Sequence, residues 1–186
     1  MTERPILFTP ENAQKVFEGT KTQTRRIVKR NASGRVKVVG SPKSWHFGDP
    51  DAVLACPYGL VGDRLWIREA WAPCDACHME IYKGQGVRNC PHCDESASGL
   101  KFTPSIHMHR WVCRTVVELT KVWVERVQEI TEEDAIAEGC EPHFPSGVDG
   151  KIYRRPFNCL WESIHGKGSW EMNPWVWVLT FKKVGS

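Results

Sequence analysis

The stretch NPWVWVLTFKKV, Asn173 to Val184, decides how the rest of the chain is read. It is an apolar, β-branched and aromatic run with little polar interruption, which predicts a closing strand buried on both faces. Upstream of it, PFNCLWESIHG places Phe157, Leu160, Trp161 and Ile164 at i, i+3, i+4 and i+7, predicting a helix from Pro156 with one apolar stripe. TEEDAIAEG predicts a shorter helix, N-capped by Thr131, acidic in its first turn and closed by Gly139. The segment SIHMHRWVCRTVVELTKVWVERVQEI is rich in Val, Trp and Thr and is split into two strands around Leu119 to Lys121. In PYGLVGDRLWIREAW a Gly-Asp turn leads into a strand with Leu65 and Ile67 on one face and Arg64, Trp66 and Arg68 on the other. Nearer the start, ILFTPENAQKVFEGTK reads as a strand, then a helix with Thr9 as N-cap, Pro10 in the first turn, Ala13, Val16 and Phe17 as its stripe, and Gly19 as a left-handed C-cap. From Asn31 to Asp51 no period is visible and a flexible loop is expected. Strands dominate and no strand-helix alternation recurs. The expected class is α+β, mostly β: a small, mainly antiparallel barrel with short helices packed on it.

A chain of 186 residues suits one domain spanning 1–186 and can bury a core. Its formal charge of +3 permits a polyanion partner without requiring one. No apolar run approaches the roughly 20 residues of a membrane helix, and MTERPILFTPE lacks the apolar core of a signal peptide. A soluble, cytoplasmic protein is therefore expected. Of nine tryptophans, Trp66, Trp71, Trp111, Trp123, Trp175 and Trp177 fall in strand-like runs and are expected in the core.

Four of the eight cysteines form two C-x-x-C pairs in CDACHMEIYKGQGVRNCPHC: Cys74 with Cys77, and Cys90 with Cys93. This spacing predicts an inserted zinc knuckle over 74–93, and four thiolates complete a tetrahedral shell, so the zinc is structural and not catalytic. His78 and His92 lie close enough in sequence to compete as ligands. Lys83, Arg88 and Lys101 around the knuckle are compatible with phosphate contacts, or simply solvate it. Cys56, Cys113, Cys140 and Cys159 read as ordinary core or surface thiols.

GTKTQTRR, Gly19 to Arg26, crowds one lysine, three threonines and two arginines behind a helix end. A cation there suits the helix dipole, which is the plain structural reading. The chemical reading is that Thr24 is a nucleophile, activated by a Lys21 whose pKa is depressed by burial and by the adjacent Arg25 and Arg26. Those two arginines also suit a phosphate or a base edge.

GTKTQTRR resembles the signature of the ASCH family, G-x-K-x-x-(E/T)-x-R, with Gly19, Lys21, Thr24 and Arg26 in the matching places. VGDRLWIRE, EITEEDAIAEG and NPWVWVLTF extend the resemblance along the chain, toward the bacteriophage and prophage branch. It implies a PUA-like β-barrel and a location inside a bacterial or phage-infected cell. Many ASCH proteins carry Glu where Thr24 stands and are regarded as RNA-binding; some are reported as ribonucleases. The Lys/Thr form is similar to small amidohydrolases that remove the acetyl group from N4-acetylcytidine. Their catalytic lysine, threonine and glutamate fall on Lys21, Thr24 and Glu138, with Glu69 as the alternative carboxylate. The implied partner is a modified nucleoside or a nucleic acid, RNA before DNA, with no membrane partner. The alternatives are an RNA- or DNA-binding module without chemistry and a ribonuclease using Lys21 and Arg26. This chain is much longer than those hydrolases and carries the cysteine insertion.

Overall fold

The computed structural model describes residues 2–29, 56–143 and 152–184; the stretch Asn31 to Asp51 lies outside them. The elements are β1 (Glu3–Leu7), α1 (Pro10–Glu18), β2 (Gln23–Ile27), β3 (Arg64–Arg68), β4 (Trp71–Pro73), β5 (Glu80–Tyr82), β6 (Val116–Arg126), α2 (Glu132–Ala137), α3 (Arg154–His165) and β7 (Trp175–Val184). Five strands make one mixed sheet in the order β1-β3-β6-β7-β2, and β4 pairs with β5 beside it. Within the larger sheet β1 and β3 run parallel, whereas the other neighbours are antiparallel. The architecture is α+β and mostly β, as the sequence predicts.

β7 has the two-faced burial read from its composition. Trp177, Leu179 and Phe181 enter a core with Ile6, Leu65, Ile67, Val117, Leu119 and the α1 residues Ala13 and Val16. Val176 and Val178 enter a second core with Val127, Ile130, Ala135, Phe157 and Trp161, beneath α2 and α3. From Val176 to Leu179 the strand lies between two cores and has no solvated face for polar side chains, whereas Lys182 and Lys183 at its end are exposed.

The two strands expected around Leu119 to Lys121 are one. β6 pairs with β7 along its length, with a bulge at Thr120 that shifts the register between Leu119↔Phe181 and Lys121↔Thr180. Before the bulge Val117 and Leu119 point into the first core, and after it Val122 does. The inserted residue exchanges odd for even positions, so alternation breaks while pairing continues.

Helix boundaries follow local chemistry. Thr9 Oγ1 caps α1 by accepting from Asn12 N at 3.4 Å. Thr131 Oγ1 accepts from Asp134 N at 3.1 Å, and Asp134 Oδ2 accepts in return from Thr131 N at 3.4 Å, closing a capping box on α2. α3 begins at Arg154, two residues before the predicted Pro156. Glu132 Oε2 satisfies the backbone N–H groups of Tyr153 at 2.6 Å and Arg154 at 3.2 Å, a cap supplied from α2. Trp177 is buried and Trp66, Trp71, Trp123 and Trp175 are partly so, but Trp111 is 72% exposed, contrary to expectation. It sits in a single 3₁₀ turn, Arg110–Val112, outside any strand. Among the described residues no helix is long and apolar enough to cross a membrane.

Candidate functional site

The end of α1 aims Lys21 inward. Gly19 takes φ 81°, a conformation that glycine adopts without steric cost, and the chain doubles back so that Thr20 and Lys21 both donate N–H bonds to Lys15 O, at 3.0 and 3.1 Å. Thr22 N then donates to Ala137 O at 2.8 Å, tying the segment to the end of α2. Gly139, at φ 78°, permits this approach: a Cβ there would stand 3.2 Å from Lys21 Cβ.

Lys21 meets Glu138, the C-cap residue of α2. Its Nζ donates to Glu138 O at 2.7 Å and to Glu138 Oε2. Lys21, Thr24, Arg25 and Glu138 are each at most 3% exposed. Desolvation dominates at Lys21 and holds its pKa below the ordinary 10.5, although Glu138 pulls it back up; Arg26 pushes in the same direction as burial. Cys140 feels both Glu138 and Lys21, but burial drives its thiol up to about 11, which removes it as a nucleophile near neutral pH.

The alternation of β2 sorts the rest. Arg25 turns to one face, where its five N–H bonds go to carboxylates and to Gln23. Nε donates to Glu125 Oε1 at 3.0 Å, Nη2 to Glu125 Oε1 at 2.7 Å and to Asp134 Oδ2 at 3.0 Å, and Nη1 to Gln23 Oε1 at 2.6 Å and Glu138 Oε1 at 3.3 Å. The residue read as an anion clamp thus holds Glu138 from one side while Lys21 holds it from the other. Thr24 and Arg26 turn to the opposite face. Arg26 Nη1 donates to Thr24 Oγ1 at 2.7 Å and Nη2 to Leu7 O at 2.7 Å, with the guanidinium 4.8 Å from the centre of the Phe8 ring.

These groups line a cavity of about 190 Å³ whose other wall is α3. Leu7, Phe8 and Asn12 border it on one side, and Phe157, Leu160, Trp161, Ile164 and His165 on the other. Trp161 and His165 rings pack at 4.2 Å, and partial burial, then the charge of Arg26, hold the His165 pKa below its ordinary value. Trp161 Nε1 is buried without a hydrogen-bond partner among the described residues. Sequence reading found the apolar stripe of α3 but not this wall, because helical spacing does not say what the stripe faces. Ile164, the last member of that stripe, is 49% exposed, which is the signal that its outer end faces a cavity.

Glu69 is placed elsewhere. Fully buried, it accepts both Arg114 Nε and Nη2 at 2.9 Å, and the Arg114 guanidinium lies between the Phe17 and Tyr82 rings at 4.3 and 4.2 Å.

The four paired cysteines converge. Their sulfur atoms all lie within 4.8 Å of one another, with Cys74–Cys93 and Cys77–Cys90 at 3.6 Å. Tetrahedral zinc with Zn–S near 2.3 Å requires sulfur separations of about 3.8 Å, so the set fits a metal ion; a disulfide requires about 2.05 Å. The two halves repeat one local fold. His78 N donates to Cys74 O and Asp94 N to Cys90 O, each at 3.0 Å, and both residues take a left-handed φ near 60°. His78 is thereby a turn residue and stands outside the ligand set, as does His92.

No family model matches the sequence, and no curated protein matches it. Two solved structures show some likeness to it. Protein EF3133 from Enterococcus faecalis V583, of family DUF984, is 11% identical, with a TM-score of 0.44 over 99% of this chain and 76% of that one. An ASCH domain from Lactobacillus crispatus JV V101 is also 11% identical, with a TM-score of 0.41 over 98% of this chain and 79% of that one.

Proposed function

We propose that the chain is an amidohydrolase that removes an acyl group, acetyl foremost, from N4 of a modified cytidine nucleoside or nucleotide. The observation that carries this is a buried lysine, with its pKa pressed down, on the same cavity wall as a threonine hydroxyl already held by an arginine. In this reading neutral Lys21 takes the Thr24 hydroxyl proton, directly or through one water. The Thr24 oxygen adds to the acyl carbonyl carbon, and Arg26, already bonded to that oxygen, offsets the developing negative charge. The C–N4 bond breaks, the departing amine takes the proton from Lys21, and water hydrolyses the threonine ester to free acetate. Glu138 orients Lys21 and is itself steadied by Arg25. The apolar and aromatic walls suit a planar base.

Binding of an RNA or DNA base without chemistry is the second reading, and the same walls support it. A ribonuclease using Lys21 and Arg26 has less support, because Lys21 Nζ is held by Glu138 and Arg26 already bonds Thr24 Oγ1 and Leu7 O inside the protein. In this reading residues 1–186 form one unit in which the inserted cysteine cluster holds structural zinc.

Purified protein incubated with N4-acetylcytidine should release cytidine and acetate on chromatography. Lys21→Ala and Thr24→Val should each lower kcat/KM by about a hundredfold or more. No conversion by the parent protein would sink the hydrolase reading in favour of the binding module. For the metal, elemental analysis should return one zinc per chain, lost on Cys77→Ser; a metal-free parent with four reactive thiols would refute the zinc assignment.

A further inference from the structure

Away from the pocket, the least expected side chain is Trp111, presented to solvent at 72% exposure. It is not loosely held. Trp71 meets its ring edge-on at 6.0 Å and 74°, and the His109 ring lies parallel to within 8° at 6.2 Å. The short turn beneath is anchored by buried Met108 and Val112, and Val112 O accepts from Tyr82 Oη at 2.6 Å. A large flat ring is therefore fixed in place facing water, where it gains nothing from burial.

The segment that carries it is basic. From Lys101 to Arg114 the chain carries Lys101, His107, His109, Arg110 and Arg114 and no Asp or Glu. Arg114 is committed to Glu69, and Arg110 pairs with the partly exposed Glu3 at 2.6 Å. Arg68 adds a further cation: its guanidinium lies 5.4 Å from the Trp66 ring and donates through Nη2 to Ile106 O. A rigid exposed aromatic within a basic, acid-free segment matches how single-stranded nucleic acids are held, by stacking on the base and attraction for the phosphates. An apolar peptide would find no use for that charge.

A relay of contacts links this patch to the pocket. Arg68 stands opposite Leu7 in the β1–β3 register, and Leu7 is a lip residue whose carbonyl holds Arg26. Arg68 bonds in turn to Ile106, which opens onto the turn that carries Trp111.

We propose that Trp111 and its basic surround form a stacking platform for a single-stranded nucleic acid, so that the base entering the pocket is presented by a polymer that also stacks a base on Trp111. The inference rests on the reading of the pocket as a base-binding site and names the substrate class for it.

The test is fluorescence anisotropy with labelled, unmodified single-stranded oligonucleotides of about twelve nucleotides, as RNA and as DNA, run beside the N4-acetylcytidine assay. Trp111→Ala should weaken binding by about fivefold to a hundredfold, the range for losing one stacked base, and Trp111→Phe should restore most of it. Because Trp111 is exposed, both variants should fold. If the parent fails to bind either oligonucleotide, or Trp111→Ala binds within about twofold of the parent, the platform is overturned and the patch becomes a protein contact. Trp111-dependent binding without deacylation keeps the platform and discards the hydrolase; deacylation with Trp111-independent binding does the reverse.

Discussion

Among the described residues two carboxylates are buried with cationic partners, and they differ in what surrounds them. Glu69 is closed in: Arg114 grips both its oxygens at 2.9 Å, a third bond runs from Arg114 to Gln14 at 2.9 Å, and two aromatic rings sandwich the guanidinium. Glu138 is shared between Lys21 and Arg25, and the three border a cavity. The Glu69 partner is a permanently charged fork; one Glu138 partner is an amine that can lose its proton. Burial of an ion pair is therefore no sign of chemistry by itself. A titratable partner and a neighbouring hydroxyl on the same cavity wall mark the second pair as the one suited to react.

That contrast can be broken most directly by replacing each cation with methionine. Lys21→Met should abolish deacylation yet cost less than about 2 kcal/mol of stability, because Glu138 keeps Arg25 at 3.3 Å and a buried ion is exchanged for an apolar chain. Arg114→Met should do the converse. Glu69 is left buried and unpaired, a loss of about 3–5 kcal/mol in denaturant unfolding, while the folded fraction keeps its turnover. Equal stability losses in the two variants would mean that both pairs are structural clamps.

The parts legible in the sequence are those fixed by neighbours along the chain. The Thr9 and Thr131 caps, the Gly19 turn and the apolar run of β7 each depend on a few adjacent residues. The paired cysteines declare themselves by spacing, and their sulfurs do converge. What was illegible depends on partners far away in sequence. Arg25 reads as a free cation because Glu125, Asp134 and Glu138 lie about a hundred residues on. The bulge at Thr120 looks like a chain break because alternation fails there, although it inserts only one residue into a continuous ladder. Trp111 looks like core because composition cannot distinguish a tryptophan in a strand from one in an exposed turn. Trp161 and His165 became visible as pocket residues only when α3 was seen facing β2 across a void.

The smallest expected effect is also the sharpest probe of Lys21. Its pKa lies below 10.5 in the folded protein, with burial the largest cause, Glu138 opposing and Arg26 and Cys140 the remaining charged or titratable neighbours. Between the folded pKa and 10.5 the unfolded chain holds a proton that the folded chain has released. Stability should therefore rise with pH across that window and lose this contribution as pH falls through the folded pKa. Lys21→Met should lack that slope, whereas Arg114→Met should retain it. The same proton sets the activity profile: kcat/KM should climb with pH along a limb whose midpoint lies below 10.5, since the base must be neutral to accept the Thr24 proton. A limb centred at the ordinary lysine value would mean that the Glu138 pair, like the Glu69 pair, only holds charge in place. Absence of any limb would assign Lys21 the role of a fixed cation at the carbonyl oxygen and leave Thr24 to find another base.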